Sequence, residues 1–262
     1  MRAIILWDFD GVIADSMLEC FYLTRRTIRL KEAEFKGVLG RNYYPLTLNE
    51  FRSARRHAIT AMDFFACYLS QRIYGRQSGV FHAKILSRHR KLLHSCDELF
   101  YEERGKMSAK ELSKKMRLYP GILQALSSLK EMGYSNVIMS ARDSKSIRQW
   151  LKHYGVLRLF SLIVGNEVSR KDRSLKSKQV KLIRKKYPTG RLFFVDDMLF
   201  NLEQAMRYAD LKPLFAGWGY GKWNKSKASA LRINSPAGLL EFFRKGAVGN
   251  GGIRFGVTGI GS

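Results

Sequence analysis

Two aspartates separated by one residue, Asp8 and Asp10, are followed at once by Gly11 at the end of a short apolar run. Further along, Ser140 and Ala141 follow the apolar run 136–139, a basic group surrounds Lys176, and Asp196 and Asp197 follow the run 192–195. These residue types suit phosphoryl chemistry. Asp8 can attack phosphorus as a nucleophile and form an aspartyl-phosphate. Asp10 can protonate the leaving oxygen and then activate water. Gly11 lets backbone N–H groups approach a phosphoryl oxygen, while Ser140, Ala141 and the Lys176 ammonium hold the others, where negative charge must be stabilised. Three or more carboxylates in one crevice repel each other unless a cation sits among them, and oxygen-only ligands suit Mg²⁺.

Such residues meet only if the elements before them lie side by side. Residues 2–7 read as a buried strand running into a turn, and 136–139, 159–164, 192–195 and 213–216 read the same way. Helical patterns separate them at 122–132, 144–154, 177–187 and 199–209. The alternation predicts an α/β fold with a Rossmann-like parallel sheet core flanked by helices. Ligands of such sheets bind beyond the carboxyl ends of the strands, which is where all four polar clusters fall. Residues 17–118 break the rhythm with long helical stretches and no strand, and two capping boxes, Thr47 with Glu50 and Ser108 with Glu111, mark helix starts. The expected organisation is a core of 1–16 and 119–245, an inserted all-helical cap of 17–118, and a flexible glycine-rich tail of 246–262.

The order of these motifs, DxDG, a strand-end Ser, a Lys and then DD, resembles the haloacid dehalogenase superfamily of phosphohydrolases. Residues 119–130, 217–221 and 235–243 are similar to its phosphoglycolate-phosphatase-like branch, which carries a helical cap between its first two motifs. The resemblance implies Asp8 as nucleophile and Asp10 as general acid/base. It implies Mg²⁺ held by the Asp8 side chain, the Asp10 backbone carbonyl and Asp197, with Asp196 beside the metal or paired with the lysine. An Asp at position 10 favours phosphoryl transfer over dehalogenation. Two positions depart from the family pattern. Asn201 stands where many members have another acid, and no Lys-Pro pair marks the third motif. Nine basic residues crowd 170–186, of which helix phase selects Lys176 and keeps Lys178 in reserve.

The chain has 262 residues, 45% of them hydrophobic, enough for a sizeable core. It carries 47 Lys and Arg against 22 Asp and Glu, a net charge of +25 spread along its length. Such a field attracts anions from phosphorylated metabolites to nucleic acid. The expected partner is a small phosphorylated metabolite or nucleotide, with nucleic acid allowed by the charge and no membrane. Three cysteines without CxxC spacing, no apolar run near ~20 residues and no signal-peptide pattern predict a cytoplasmic protein. The aromatic group Phe51, Phe64, Phe65, Tyr68 and Tyr74 reads as cap core, and Arg142 as a contact for an anionic substrate group or a surface residue. The alternatives are a nucleic-acid-end phosphatase, a phosphomutase or phosphonatase, and a non-catalytic basic binder of nucleic acid.

Overall fold

Strand β1 (Ile4–Trp7) is buried at every residue, as a central strand covered on both faces must be. In the computed structural model, which describes residues 3–75, 79–168, 175–207, 210–225 and 230–246, β1 lies in a six-stranded parallel sheet. The order is β5 (Phe160–Val164), β4 (Ser135–Met139), β1, β6 (Leu192–Asp196), β7 (Leu211–Ala216) and β8 (Leu231–Ile233). The expected α/β architecture holds. Strand β8 was not legible, because Arg232 interrupts its three residues.

The sheet alternates its side chains between two cores. Ile5, Trp7, Phe193 and Val195 face α8 (Ile122–Glu131), α9 (Ser144–His153) and α12 (Pro236–Arg244), packing with Leu126, Trp150 and Phe243. Ile4, Leu6, Leu192 and Phe194 face α10 (Leu175–Lys186) and α11 (Leu199–Met206), packing with Val180, Ile183 and Leu202. Sheet order reverses on either side of β1, since the chain visits β4 and β5 first and then crosses to β6. A crevice therefore opens beside its carboxyl end. Trp7 pairs with Ile138 on one side and Val195 on the other, so Asp8 and Asp196 emerge at one level and Ser140 one residue beyond it.

Between β2 (Ala14–Asp15) and β3 (Arg117–Leu118), the described residues form seven α-helices. These are α1 (Met17–Leu30), α2 (Glu32–Leu39), α3 (Leu48–Arg55), α4 (Ala61–Tyr74), α5 (Gly79–Arg88), α6 (Arg90–Lys106) and α7 (Ala109–Lys115). Both expected capping boxes are present, and Thr60 with Asp63 forms a third at the start of α4. Phe51, Phe64, Phe65 and Tyr68 are buried, with Tyr74 packed at the edge. The reading of 17–118 as free of strands is corrected by β3, which pairs antiparallel with β2 where the chain leaves and rejoins the sheet. Two residues per strand are too few to show a period. The tail expected from 246 onward lies, apart from Gly246, outside the described residues.

Candidate active site

Asp8 follows β1 directly, and its carboxylate accepts a hydrogen bond from Lys176 Nζ at 2.8 Å. Lys176 stands in the first turn of α10, fully buried, and also donates to the Met139 carbonyl at 2.6 Å and lies 3.3 Å from Asp196 Oδ2. Burial works against its charge, but the Asp8 and Asp196 carboxylates outweigh it and raise the ammonium above its usual pKa. Lys178 is exposed, so of the two candidate lysines only Lys176 reaches the aspartates.

Asp196 and Asp197 close β6. Asp196 accepts from the Met198 N–H at 2.8 Å and from Asn201 Nδ2 at 3.2 and 3.1 Å, one contact to each oxygen. An acid at position 201 would repel Asp196, whereas the asparagine amide donates to it. Asp197 Oδ2 accepts from the backbone N–H groups of Tyr220 (2.6 Å) and Gly221 (3.2 Å). The 217–221 turn presses so closely that a Cβ at Gly221 would collide with the Asp197 carbonyl oxygen. From the other side, Gly11 has φ +92°, and a Cβ there would sit 2.5 Å from Asp197 Oδ2. Gly11 donates its own N–H to the Ala14 carbonyl at 2.9 Å. Its glycine is thus required for packing against Asp197 as well as for any approach to phosphate.

Asp8, Asp196 and Asp197 offer oxygens that all lie within 4.8 Å of one another, and all three residues are buried. Lys176 pairs with Asp8 and Asp196, while Arg55 acts on Asp197 by charge only, and together they do not balance three buried carboxylates. Burial, with Asp8 adding its repulsion, pushes Asp197 up to about 6 and Asp196 well above the usual carboxylate range. Three hard oxygen donors with uncompensated charge fit a divalent cation such as Mg²⁺.

Asp10 turns away from this cluster. Its carboxylate is gripped by Arg142, with Nε at 3.0 Å from Oδ2 and Nη2 at 2.8 Å from Oδ1. Arg142 also donates to both oxygens of Glu19 (3.1 and 2.8 Å), and Glu19 accepts from Arg104 at 2.7 and 3.2 Å. Glu19 comes from α1 and Arg104 from α6, so this network ties the helical insertion to the core. Burial opposes ionisation of Asp10, but the Arg142 charge overrides it and holds the carboxyl far below its usual pKa. Arg142 is therefore neither a surface residue nor free for substrate; its side chain is 1% exposed and committed to two acids. Glu19 and Arg104 belong to no sequence motif, and no periodicity distinguishes a buried charge from a solvated one.

Ser140 Oγ accepts the Arg142 backbone N–H at 3.2 Å, and the Ala141 carbonyl accepts from Tyr101 Oη at 3.3 Å. Ser140, Ala141, Asp8, Asp10 and Asp197 line one cavity of about 40 Å³, closed from the insertion by Phe64, Tyr101, Arg104 and Arg55. Arg55 is buried, lies 4.6 Å over the Tyr220 ring, and donates to the Ala58 carbonyl at 3.1 Å. Its Nε has no hydrogen-bond partner. No motif distinguishes Arg55 from its neighbours Arg52 and Arg56; burial alone separates them.

The family described as haloacid dehalogenase-like hydrolase matches residues 83–209. That stretch contains Ser140, Lys176, Asp196 and Asp197, and the fold brings Asp8 and Asp10 to the same crevice. Over residues 83–209 the chain is thus similar to haloacid dehalogenase-like hydrolases. Three solved structures share the fold of the chain. A protein described as a predicted phosphoglycolate phosphatase from Haemophilus somnus is 16% identical, with a TM-score of 0.62 over 92% of this chain and 98% of that one. A haloacid dehalogenase-like hydrolase from Streptococcus pneumoniae gives 14% and 0.60, covering 92% and 98%. A protein described as a predicted phosphatase from Clostridium acetobutylicum gives 14% and 0.62, covering 94% and 99%. At these identities the likeness is one of fold. No protein of curated function matches the sequence at a significant level. No helix among the described residues is long and apolar enough to cross a membrane.

Proposed function

We propose that the protein is a Mg²⁺-dependent phosphomonoesterase, a hydrolase acting on phosphoric monoester bonds through an aspartyl-phosphate on Asp8. The observation that carries the reading is the meeting of Asp8, Lys176, Asp196 and Asp197 at the carboxyl ends of adjacent strands. When bound, Mg²⁺ held by Asp8, Asp197 and the Asp10 carbonyl, with Asp196 beside it, would neutralise the carboxylates and the phosphoryl oxygens.

Each residue then has a defined task. Asp8 attacks phosphorus while the bond to the leaving oxygen breaks, and Lys176 keeps the attacking carboxylate oriented. Ser140 and Lys176 hold the phosphoryl oxygens as charge spreads over them. In the second half, Asp10 takes a proton from water, which attacks phosphorus, releasing phosphate and restoring Asp8. With Arg142 on both oxygens, Asp10 is an acceptor, ready for that second half. Giving a proton to the leaving oxygen in the first half requires the Arg142 contact to loosen.

The cavity is narrow, about 40 Å³, with Arg55, Phe64, Tyr101 and Arg104 of the insertion over the strand ends. The helical insertion closes over this cavity, and its movement about the β2–β3 ribbon, where the chain crosses, would admit substrate. A small phosphorylated metabolite or a nucleotide suits a cavity that closes in this way, and Arg55 offers it a guanidinium with a free Nε. The test is phosphate release from an aryl phosphate and from a panel of sugar phosphates and nucleotides, with and without Mg²⁺. Asp8→Asn is expected to lose at least about 10³-fold in turnover. Turnover by Asp8→Asn at the wild-type rate, or silence across the panel with Mg²⁺ bound, overturns the reading.

A further inference from the structure

Helix α1 shows solvent one continuous side, carrying Leu18, Tyr22, Arg25, Arg26 and Arg29 at helical spacing. From Leu18 to Arg29 this face runs about 16 Å at 1.5 Å per residue. Two grooves flank it. The first, about 520 Å³, lies at the β2–β3 ribbon and is lined by Arg52, Arg56, Lys114, Lys115 and Arg117, with Asp15 its one carboxylate. The second, about 530 Å³, is lined by Arg25, Arg26 and Arg29 with Tyr22 and Tyr43, and Glu32 is its one carboxylate.

Both carboxylates are engaged already. Asp15 lies 3.7 Å from Arg117 and accepts from Tyr220 Oη at 2.9 Å, and Glu32 lies 2.8 Å from Lys36. Arg26 is paired with Glu103. That leaves Arg25, Arg29, Arg52, Arg56, Lys114 and Lys115 with no ion pair among the described residues. The linings of the two grooves touch where Lys115 of the first has its Nζ 4.3 Å from the centre of the Tyr22 ring of the second. Unpaired like charges gathered in concave surfaces focus a positive potential, and the protein gains nothing from their mutual repulsion in isolation. A positive groove with an aromatic face along it is how single-stranded nucleic acid is held, the phosphates on the cations and a base on the ring. Two hollows whose linings come together where Lys115 lies over Tyr22 suit a flexible strand better than a straight duplex.

We propose that this track along α1 binds single-stranded nucleic acid, with a base stacked on Tyr22. The binding is independent of the phosphatase reading and stands if that reading fails.

The test uses the full chain and a fluorescein-labelled oligothymidylate of about 12 nucleotides, within the range such sites cover, followed by anisotropy. Arg52→Ala with Arg56→Ala, and separately Lys114→Ala with Lys115→Ala, are expected to weaken binding about tenfold or more, by loss of phosphate contacts. Tyr22→Ala is expected to weaken it about fivefold or more, the low end for one stacked base. Lys185→Ala with Lys186→Ala removes the same charge from exposed positions on α10 and is expected to leave affinity within about twofold. The slope of log K against log salt is expected between about −2 and −4, the range for three to six neutralised phosphates on a single strand. A thermal melt of each variant reports the fold. The proposal is overturned if the α10 variant weakens binding as much as the track variants, which would assign the effect to net charge. It is equally overturned if a duplex of the same length binds as tightly, if only inorganic polyphosphate binds, or if no strand binds at low salt.

Discussion

Two buried charge clusters line the same cavity and are built on opposite terms. In one, Asp10 and Glu19 face Arg142 and Arg104, two carboxylates against two guanidinium groups, with bidentate contacts throughout. In the other, Lys176 pairs with Asp8 and Asp196, and Asp197 feels only the charge of Arg55, with no ion pair of its own among the described residues. The balanced cluster lowers the pKa of both its acids, because the arginine charges outweigh burial. The unbalanced cluster raises the pKa of Asp196 and Asp197, because burial and repulsion outweigh Lys176 at the one and Arg55 at the other. A self-sufficient network holds two parts of the chain together, while a network short of positive charge suits the cation of the proposed function.

Breaking the balanced cluster gives the largest effect on stability. Glu19→Gln leaves Arg104 and Arg142 buried side by side without their shared acid, and such a loss costs about 3–5 kcal/mol. Urea unfolding measures it, and a loss under about 1 kcal/mol would show that Asp10 alone compensates both arginines.

The pH dependence of stability in chelator sharpens the contrast, because the two clusters act with opposite sign. The raised Asp197 carboxyl contributes stability below its unfolded pKa of 3.8, and this is lost as pH rises through about 6. The size is on the order of 3 kcal/mol for Asp197. The lowered Asp10 and Glu19 carboxyls contribute above the ordinary carboxylate range, and their share is lost only as pH falls below it. Metal-free protein is therefore expected to lose stability between about pH 4 and pH 7, and millimolar Mg²⁺ to restore it at neutral pH. Denaturant midpoints across pH, with chelator or Mg²⁺, carry the measurement. An unchanged midpoint on adding Mg²⁺ would break the comparison.

The smallest effect is expected from Asn201→Asp. It replaces an amide that donates to both Asp196 oxygens with a fourth carboxylate, costing about 2 kcal/mol in chelator. Mg²⁺ is expected to recover part of that loss. Thermal melts of the two proteins with and without metal decide it, and equal stability in chelator would show that Asp196 does not depend on the amide.

Much of this was legible before any contact was known. The strand runs and the helices between them follow from apolar period and length, and both Glu-containing capping boxes stand where Thr47 and Ser108 announce them. The third box went unread because Asp63, not Glu or Gln, answers Thr60. Strand β8 and the β2–β3 ribbon went unread because two or three residues carry no period. Helix phase favoured Lys176 over Lys178, and burial agrees, but the contact with Asp8 spans 168 positions. Arg142 could not be assigned from its neighbours, since its partners Asp10 and Glu19 lie 132 and 123 positions away.

The sequence by itself determined the fold class, the residue types at the strand ends and the basic charge, because each depends on local pattern or on composition. Tertiary structure alone decided which arginines are buried, that Arg142 holds Asp10, that Glu19 joins the insertion to the core, and that Asn201 and the 217–221 turn serve the paired aspartates. The physical reason is that the energy of a buried charge depends on its partners and its distance from water. Those are set by packing between segments far apart in the chain, and no local spacing encodes them.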